Sequence, residues 1–202
     1  MSNTYHYHHP LPITQTHHTS KRGFTIVELL IVIVVVAILA AISIVSYNGI
    51  QQRANNTAII NAASQSLKMV QAYIATTGTY PRLGGSSCIT IDSGCAIDDI
   101  VGKNDMFDNN MKTVGSLPRS VPVFGSTRYG ITYTYGASRE YNGVSLPALI
   151  IYFLNGNSQS CGLSNVAAGW GANTFSTTGY TANDNIQGKT ICLVSIPGPE
   201  AA

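Results

Sequence analysis

KRGFTIVELLIVIVVVAILAAISIV, residues 21–45, is the stretch that decides how this chain folds. Every side chain in residues 29–42 is apolar, and Ser43 is the single polar interruption before Val45. As a helix, residues 24–45 would be about 33 Å long at ~1.5 Å per residue, enough to cross a hydrocarbon core. Lys21 and Arg22 stand directly before this run. Such a basic pair holds the N-terminus in the cytoplasm, so the bulk of the chain is expected outside. A cleavable secretory signal would be cut after its apolar stretch at a small-residue site. Here Ala37, Ala40 and Ala41 lie inside the run, so that reading fits poorly. A plain single-pass anchor explains the length but not Glu28.

A carboxylate in an apolar helix costs roughly 2.5–3.5 kcal/mol at the bilayer centre and less near the interface, so it calls for a partner. Cleavage between Gly23 and Phe24 would create one, because Glu28 would then be the fifth residue after a new α-amino group. Within one helix, Glu28 would also sit near unpaired N–H groups and the positive end of the macrodipole. Across two staggered copies it could meet the neighbour's amine. The competing reading is a tolerated interfacial glutamate.

The run K-R-G-F-T-I-V-E-L-L-I-V-I, residues 21–33, resembles the processing site of type IV prepilins and pseudopilins. The resemblance extends over about residues 21–81 and implies several things. A membrane peptidase cuts after Gly23 and methylates Phe24, the basic pair Lys21 and Arg22 closes the leader, and Glu28 governs assembly. Implied partners are sister subunits in a helical filament, the prepilin peptidase/methyltransferase, and an assembly platform with its ATPase. The implied path is a single-pass precursor in the cytoplasmic membrane, then an extracellular pilus. Many relatives carry a Gly and a Pro partway along the apolar helix, where this chain has Ala37 and Val45. Without that Pro, local helix melting is less expected. The leader, at 23 residues, is long.

Beyond Tyr47 the helix is expected to continue with a different character. Tyr47, Ile50 and Ala54, then Ile60, Ala63, Leu67, Val70 and Ile74, keep three-and-four spacing among polar residues. Gly49 and Asn55-Asn56 weaken helical propensity. Gly78 and Pro81 are stop signals. A helix over residues 24–77 would be about 80 Å long. Its first half is greasy all round, so it needs lipid or sister helices. The organisation expected is a leader (1–23), a transmembrane and polymerisation half-helix (24–47), an amphipathic half-helix (48–78) and an extracellular head (79–202).

In the head, residues 84–95 read as a loop, and Ile97, Ile100, Phe107 and Met111 as the buried side of a short helix. Residues 129–135, 148–154 and 190–196 read as strands, with Asn142-Gly143 as a turn signal. The fold class is therefore α+β and pilin-like: a long N-terminal helix on an antiparallel sheet of three or four strands. Cys88, Cys95, Cys161 and Cys192 include no C-x-x-C pair, so zinc and thioredoxin-type readings are weak. An even count beyond an export signal points to two disulfides. Three connectivities are possible, and Cys88–Cys95 with Cys161–Cys192 is favoured because each closes a local loop. The second would bound a Gly/Asn/Ser/Thr-rich segment holding the lone Trp170, read either as a contact surface or as a cover for the sheet edge.

The 202 residues hold 11 Lys and Arg, 9 Asp and Glu, and 5 His. Removing residues 1–23 takes away Lys21, Arg22 and all five histidines, leaving nine basic and nine acidic side chains. That balance gives no footprint for nucleic acid, so DNA binding is unsupported. It also removes Ser-His-Asp and Cys-His chemistry and any His-ligated metal. Asp98, Asp99, Asp105 and Asp108 are weak calcium candidates, because no D-x-D-x-D-G register accompanies them. No nucleophile elbow or phosphate loop is present. Neither a cofactor nor an enzymatic activity is expected. A filament subunit is the function expected. The alternatives are a minor pilin or pseudopilin of a secretion or DNA-uptake system, or an anchored binding protein that never polymerises.

Overall fold

A computed structural model of the chain describes residues 23–97, 99–119, 121–123, 128–136, 140–141, 144–145, 147–167, 180–181, 188–196 and 198. The chain divides into two compact units, residues 1–45 and 46–202.

Helix α1 (Ile26–Thr77) runs through both units. In the first unit its large apolar side chains are exposed around the whole circumference, from Val35 at 47% to Ile26 at 86%. Ser43 donates its hydroxyl to the Leu39 carbonyl at 2.7 Å, so the one polar interruption is satisfied within the helix. This is the single helix long and apolar enough to cross a membrane among the described residues.

In the second unit the same helix becomes one-sided. Ile59, Ala62, Ala63, Met69, Val70 and Ile74 are buried, with Ile60 and Leu67 packed beside them. Each fully buried large side chain contributes roughly 1.5–3 kcal/mol. The stripe expected from spacing starts later than the periodicity suggests. Tyr47 and Ile50 are 65% and 67% exposed, and Ala54 is exposed too. The helix ends at Gly78, whose φ of +70° and N–H bond to the Ile74 carbonyl (2.8 Å) form a left-handed C-terminal cap.

The head follows in the order β1 (Gly85–Cys88), β2 (Cys95–Ala96), β3 (Ile100–Val101), α2 (Asp105–Lys112), β4 (Ile131–Tyr135), β5 (Glu140–Tyr141), β6 (Val144–Ser145), β7 (Ala148–Asn155), β8 (Val166–Ala167), β9 (Tyr180–Thr181) and β10 (Lys189–Ser195). The main sheet is six-stranded and antiparallel, in the order β1-β4-β7-β10, with β8 and β9 both on the outer side of β10. β9 pairs with Thr190 and Ile191 and β8 with Leu193 and Val194, so two short segments share one edge. The sheet is wider than the three or four strands expected, because β1, β8 and β9 are too short to announce themselves by alternation. β1 falls where a loop was expected.

β7 and β10 are buried along nearly their whole length. That matches continuous apolar runs, which need cover on both faces. Ile131, Tyr133, Ala148, Ile150, Tyr152, Leu154, Cys192 and Val194 share the core with the buried stripe of α1. Tyr133 donates to the Pro81 carbonyl and Tyr80 to the Ile196 carbonyl, both at 3.0 Å, which ties the segment after α1 to the sheet.

The short helix is α2. Asn104 caps it by accepting from the Met106 and Phe107 N–H groups at 3.0 and 3.1 Å. Phe107 and Met111 are fully buried, and Phe107 stacks on Tyr133 with centroids 4.8 Å apart. Ile97 and Ile100 do not belong to it. Ile100 lies in β3 and is 72% exposed. Pairing of β2 with β3 takes these residues out of the helical register. The Asn142-Gly143 turn signal lies outside the described residues.

Candidate functional site: the N-terminal junction and the docked helix

Thr25 organises the start of α1. Its hydroxyl and its backbone N–H both donate to Glu28 Oε2 at 2.8 Å, and the Glu28 N–H donates back to Thr25 Oγ1 at 3.2 Å. This is a capping box, in which Thr at the cap and Glu three residues on satisfy each other's orphan donors. It starts the helix at Ile26, two residues later than position 24 read from sequence, so α1 has 52 residues. The Thr-x-x-Glu pattern before an apolar run carried this information, and Thr25 is the functional residue that the reading of Glu28 alone missed. Within a single chain, Glu28 thus already has neutral hydrogen-bond partners, in addition to any cation a neighbour brings.

Gly23, Phe24 and Thr25 precede the first helical turn and are exposed. Phe24 is 86% exposed. A Cβ built on Gly23 would meet nothing within 4 Å. Among the described residues there is therefore no steric demand for glycine at that position. Lys21 and Arg22 lie outside the described residues.

In the second unit, α1 is fastened to the sheet by polar contacts that the sequence does not advertise. Asn56, 7% exposed, donates Nδ2 to the Asn155 carbonyl at 2.9 Å and accepts the Asn155 N–H on Oδ1 at 2.8 Å. Gln52 adds a second donor to the same carbonyl at 2.8 Å. The amide of Asn56 thereby continues the hydrogen bonding of β7 at its last residue. Sequence reasoning saw Asn56 only as a weak helix former.

Disulfides join Cys88 to Cys95 and Cys161 to Cys192, and all four cysteines are buried. The second ties β10 to the chain beyond β7, where Tyr152 donates its hydroxyl to the Cys161 carbonyl. Trp170 and most of the segment between Cys161 and Cys192 lie outside the described residues.

The acidic residues divide by role. Asp108 is buried and forms a salt bridge with Arg119, which also donates to the Ile89 carbonyl at 2.9 Å. A cation site would have to displace that guanidinium. Asp99 and Asp105 are exposed, Asp98 lies outside the described residues, and no three potential metal ligands converge among those described.

Residues 18–44 match the prokaryotic N-terminal methylation motif. The chain is 29% identical over 100 residues to the fimbrial protein EcpC of Eikenella corrodens, covering 47% of this chain and 65% of that protein. It is 37% identical over 61 residues to the type IV wide pilus major component PilA4 of Thermus thermophilus, covering 30% of this chain and 47% of that one. The matches thus span between about half and two thirds of these relatives' lengths. No solved structure matches the chain.

A capped apolar helix bearing the methylation motif, continuous with a helix docked on a disulfide-bonded antiparallel sheet, defines the class: a prokaryotic N-terminal methylation-motif protein of α+β architecture. Within that class its likeness is to fimbrial and type IV pilus proteins.

Proposed function

We propose that the chain is a structural subunit of a type IV pilus-like surface filament, processed after Gly23, N-methylated on Phe24 and polymerised through its apolar helix. The observation that carries this reading is the exposed apolar circumference of α1 in the first unit. Each half-exposed Val, Leu or Ile there leaves roughly 1 kcal/mol of unrealised burial, which only lipid or sister helices can supply. In this scheme residues 1–23 are a cytoplasmic leader and 24–47 the membrane and polymerisation segment. Residues 48–78 form the docked half-helix and 79–202 the extracellular head. The partners are the prepilin peptidase/methyltransferase, the assembly platform with its ATPase, and further copies of the chain. The role is structural, and no enzymatic step is assigned.

Two features support the processing step. The junction sits outside the helical ladder, in the accessible form a peptidase needs. Among the described residues nothing crowds a side chain at Gly23, which agrees with a glycine needed for recognition by the enzyme. Glu28 then has two roles in sequence: a capping partner of Thr25 in the free chain, and an acceptor for the neighbour's Phe24 amine during assembly.

The test uses the native host. Gly23→Ala should leave an unprocessed, membrane-retained precursor, visible as an intact leader by mass spectrometry. Glu28→Ala should be expressed and cleaved, yet give few sheared filaments. Normal maturation of the first variant, or normal filament yield from the second, contradicts the scheme. An intact leader on the wild-type protein would instead mark an anchored protein that never polymerises.

A further inference from the structure

Beyond residue 50, exposed large apolar side chains are few among the described residues: Ile100 at 72%, Met106 at 62% and Val123 at 49%. The first two lie within seven residues of chain, flanked by the exposed carboxylates of Asp99 and Asp105, with one exposed cation, Lys103, between them. Both stand on backbone that is paired or capped. β3 pairs with β2, whose Cys95 is bonded to Cys88. Behind this hairpin, a Cβ on Gly94 would stand 2.8 Å from Ile100 Cγ2, and one on Gly130 would stand 2.5 Å from Cys95 Sγ. Met106 begins the Asn104-capped helix α2. An exposed apolar pair on fixed backbone, rimmed by charge, has the anatomy of a contact centre.

The same unit carries a surface of opposite character. On the outward face of α1, Arg53 and Lys68 are the only charged residues, with Ala54, Ala58, Ala72 and Ala75 exposed around them. Fifteen residues separate the two cations, which places them about 60° apart around the helix and ~22 Å apart along it. The small alanines leave room for protruding side chains. No acidic side chain occurs in residues 46–77.

We propose that the face made by β3 and the first turn of α2 docks on the outward face of α1 in a second copy of this chain. Ile100 and Met106 pack over the alanines, while Asp99 and Asp105 meet Arg53 and Lys68. The two surfaces are different, so the contact is heterologous, and a heterologous contact that does not close on itself propagates as an open polymer. The inference rests on the filament reading above and adds to it a second, head-level contact with defined charge.

The experiment is charge reversal with rescue, in full-length chains produced in the native host and scored as sheared, pelletable filament. Asp99→Lys with Asp105→Lys, and separately Arg53→Glu with Lys68→Glu, should each lower filament yield at least about tenfold through like-charge contact. Cleaved subunit in the membrane should stay at wild-type level, with a head equally resistant to protease. Combining all four substitutions should restore yield to within about threefold of wild type. Should a reversal disturb the head, Asp99→Asn with Asp105→Asn removes charge alone and should still lower yield measurably. Unchanged yield in both a reversal pair and the neutralised pair overturns the contact, as does failure of the fourfold variant to recover. A wild-type chain that never pellets refutes the filament reading itself, a separate outcome from the loss of this contact.

Discussion

The amide of Asn56 gives the sharpest test of how α1 is held on the sheet, because two known effects pull its replacement in opposite directions. In Asn56→Ala the helix gains propensity, since Ala is better than Asn by roughly 0.6 kcal/mol in a helix interior. If the contact with β7 were incidental, the variant would be more stable by about that amount. The structure gives the other term. The side chain both donates to and accepts from the backbone of Asn155, at 2.9 and 2.8 Å. After truncation the Asn155 carbonyl keeps Gln52 as a donor, but its N–H loses the acceptor it has here. Leaving a buried donor unpaired costs about 1–3 kcal/mol. Asn155 is half-buried, which favours the lower half of that range. The net expectation is destabilisation by about 1 kcal/mol, or ~2–4 °C in Tm for a chain of this size. Gln52→Ala removes one of two donors to a carbonyl that retains the other, and should cost no more than ~0.5 kcal/mol. The double variant should lose more than the sum, since Asn155 then loses both side-chain donors as well as the acceptor. The assay is denaturant unfolding of the full-length chain in micelles, with disulfides intact and tyrosine signal as the probe. A more stable Asn56→Ala variant would refute the clamp, whatever the double variant does.

Two further expectations concern the head. Burial pushes the Tyr133 hydroxyl well above the ordinary tyrosine range, with the neighbouring tyrosines adding to it, and burial alone does the same to Tyr152. Groups whose folded pKa is raised stabilise fully below the unfolded value near ~10 and lose that stability as pH rises beyond it. From these two groups unfolding free energy should fall by up to about 2.7 kcal/mol per pH unit above pH ~10.5, with Tyr152→Phe removing up to about 1.4 of it; Tyr80, raised by burial and then by Tyr135, adds in the same direction. Burial lowers the Lys189 pKa, which acts with the opposite sign and saturates near ~10.4, below this window. A flat profile up to pH 12 in denaturant titrations would contradict the buried hydroxyls. The disulfides should differ in weight. Cys161 and Cys192 are 31 residues apart and Cys88 and Cys95 only 7. The chain-entropy relation gives ~3.7 kcal/mol for the first and ~2.5 for the second. Paired Cys→Ser variants, compared by the same unfolding assay, should rank in that order.

Much of the architecture was legible in sequence because it rests on long, repeated signals. The apolar run specifies its own environment, because a helix greasy on every side needs apolar cover all round. The stop at Gly78 and the strands at β4, β7 and β10 follow from turn chemistry and from β-rich runs that need no distant information. The Thr25–Glu28 cap was equally local and was available as a Thr-x-x-Glu pattern.

Other features exist only through contacts made across the chain. Ile100 has the composition of a core residue, yet pairing between β2 and β3 turns it outward, while Phe107 and Met111 seven and eleven positions later are sealed inside. Tyr47, Ile50 and Ala54 share the helical spacing of the buried stripe, but the face that covers α1 begins further along. The short strands β1, β8 and β9 take their identity from the partners β4 and β10 that happen to lie beside them. Asn56 is the clearest case. A polar residue that weakens a helix in isolation becomes its fastening point once the end of β7 is brought 99 residues back to meet it. Local propensity and periodicity are short-range quantities. By themselves they determined the helix and the class of fold, whereas the choice of which side chains fasten, face outward or pair at an edge was left to tertiary packing.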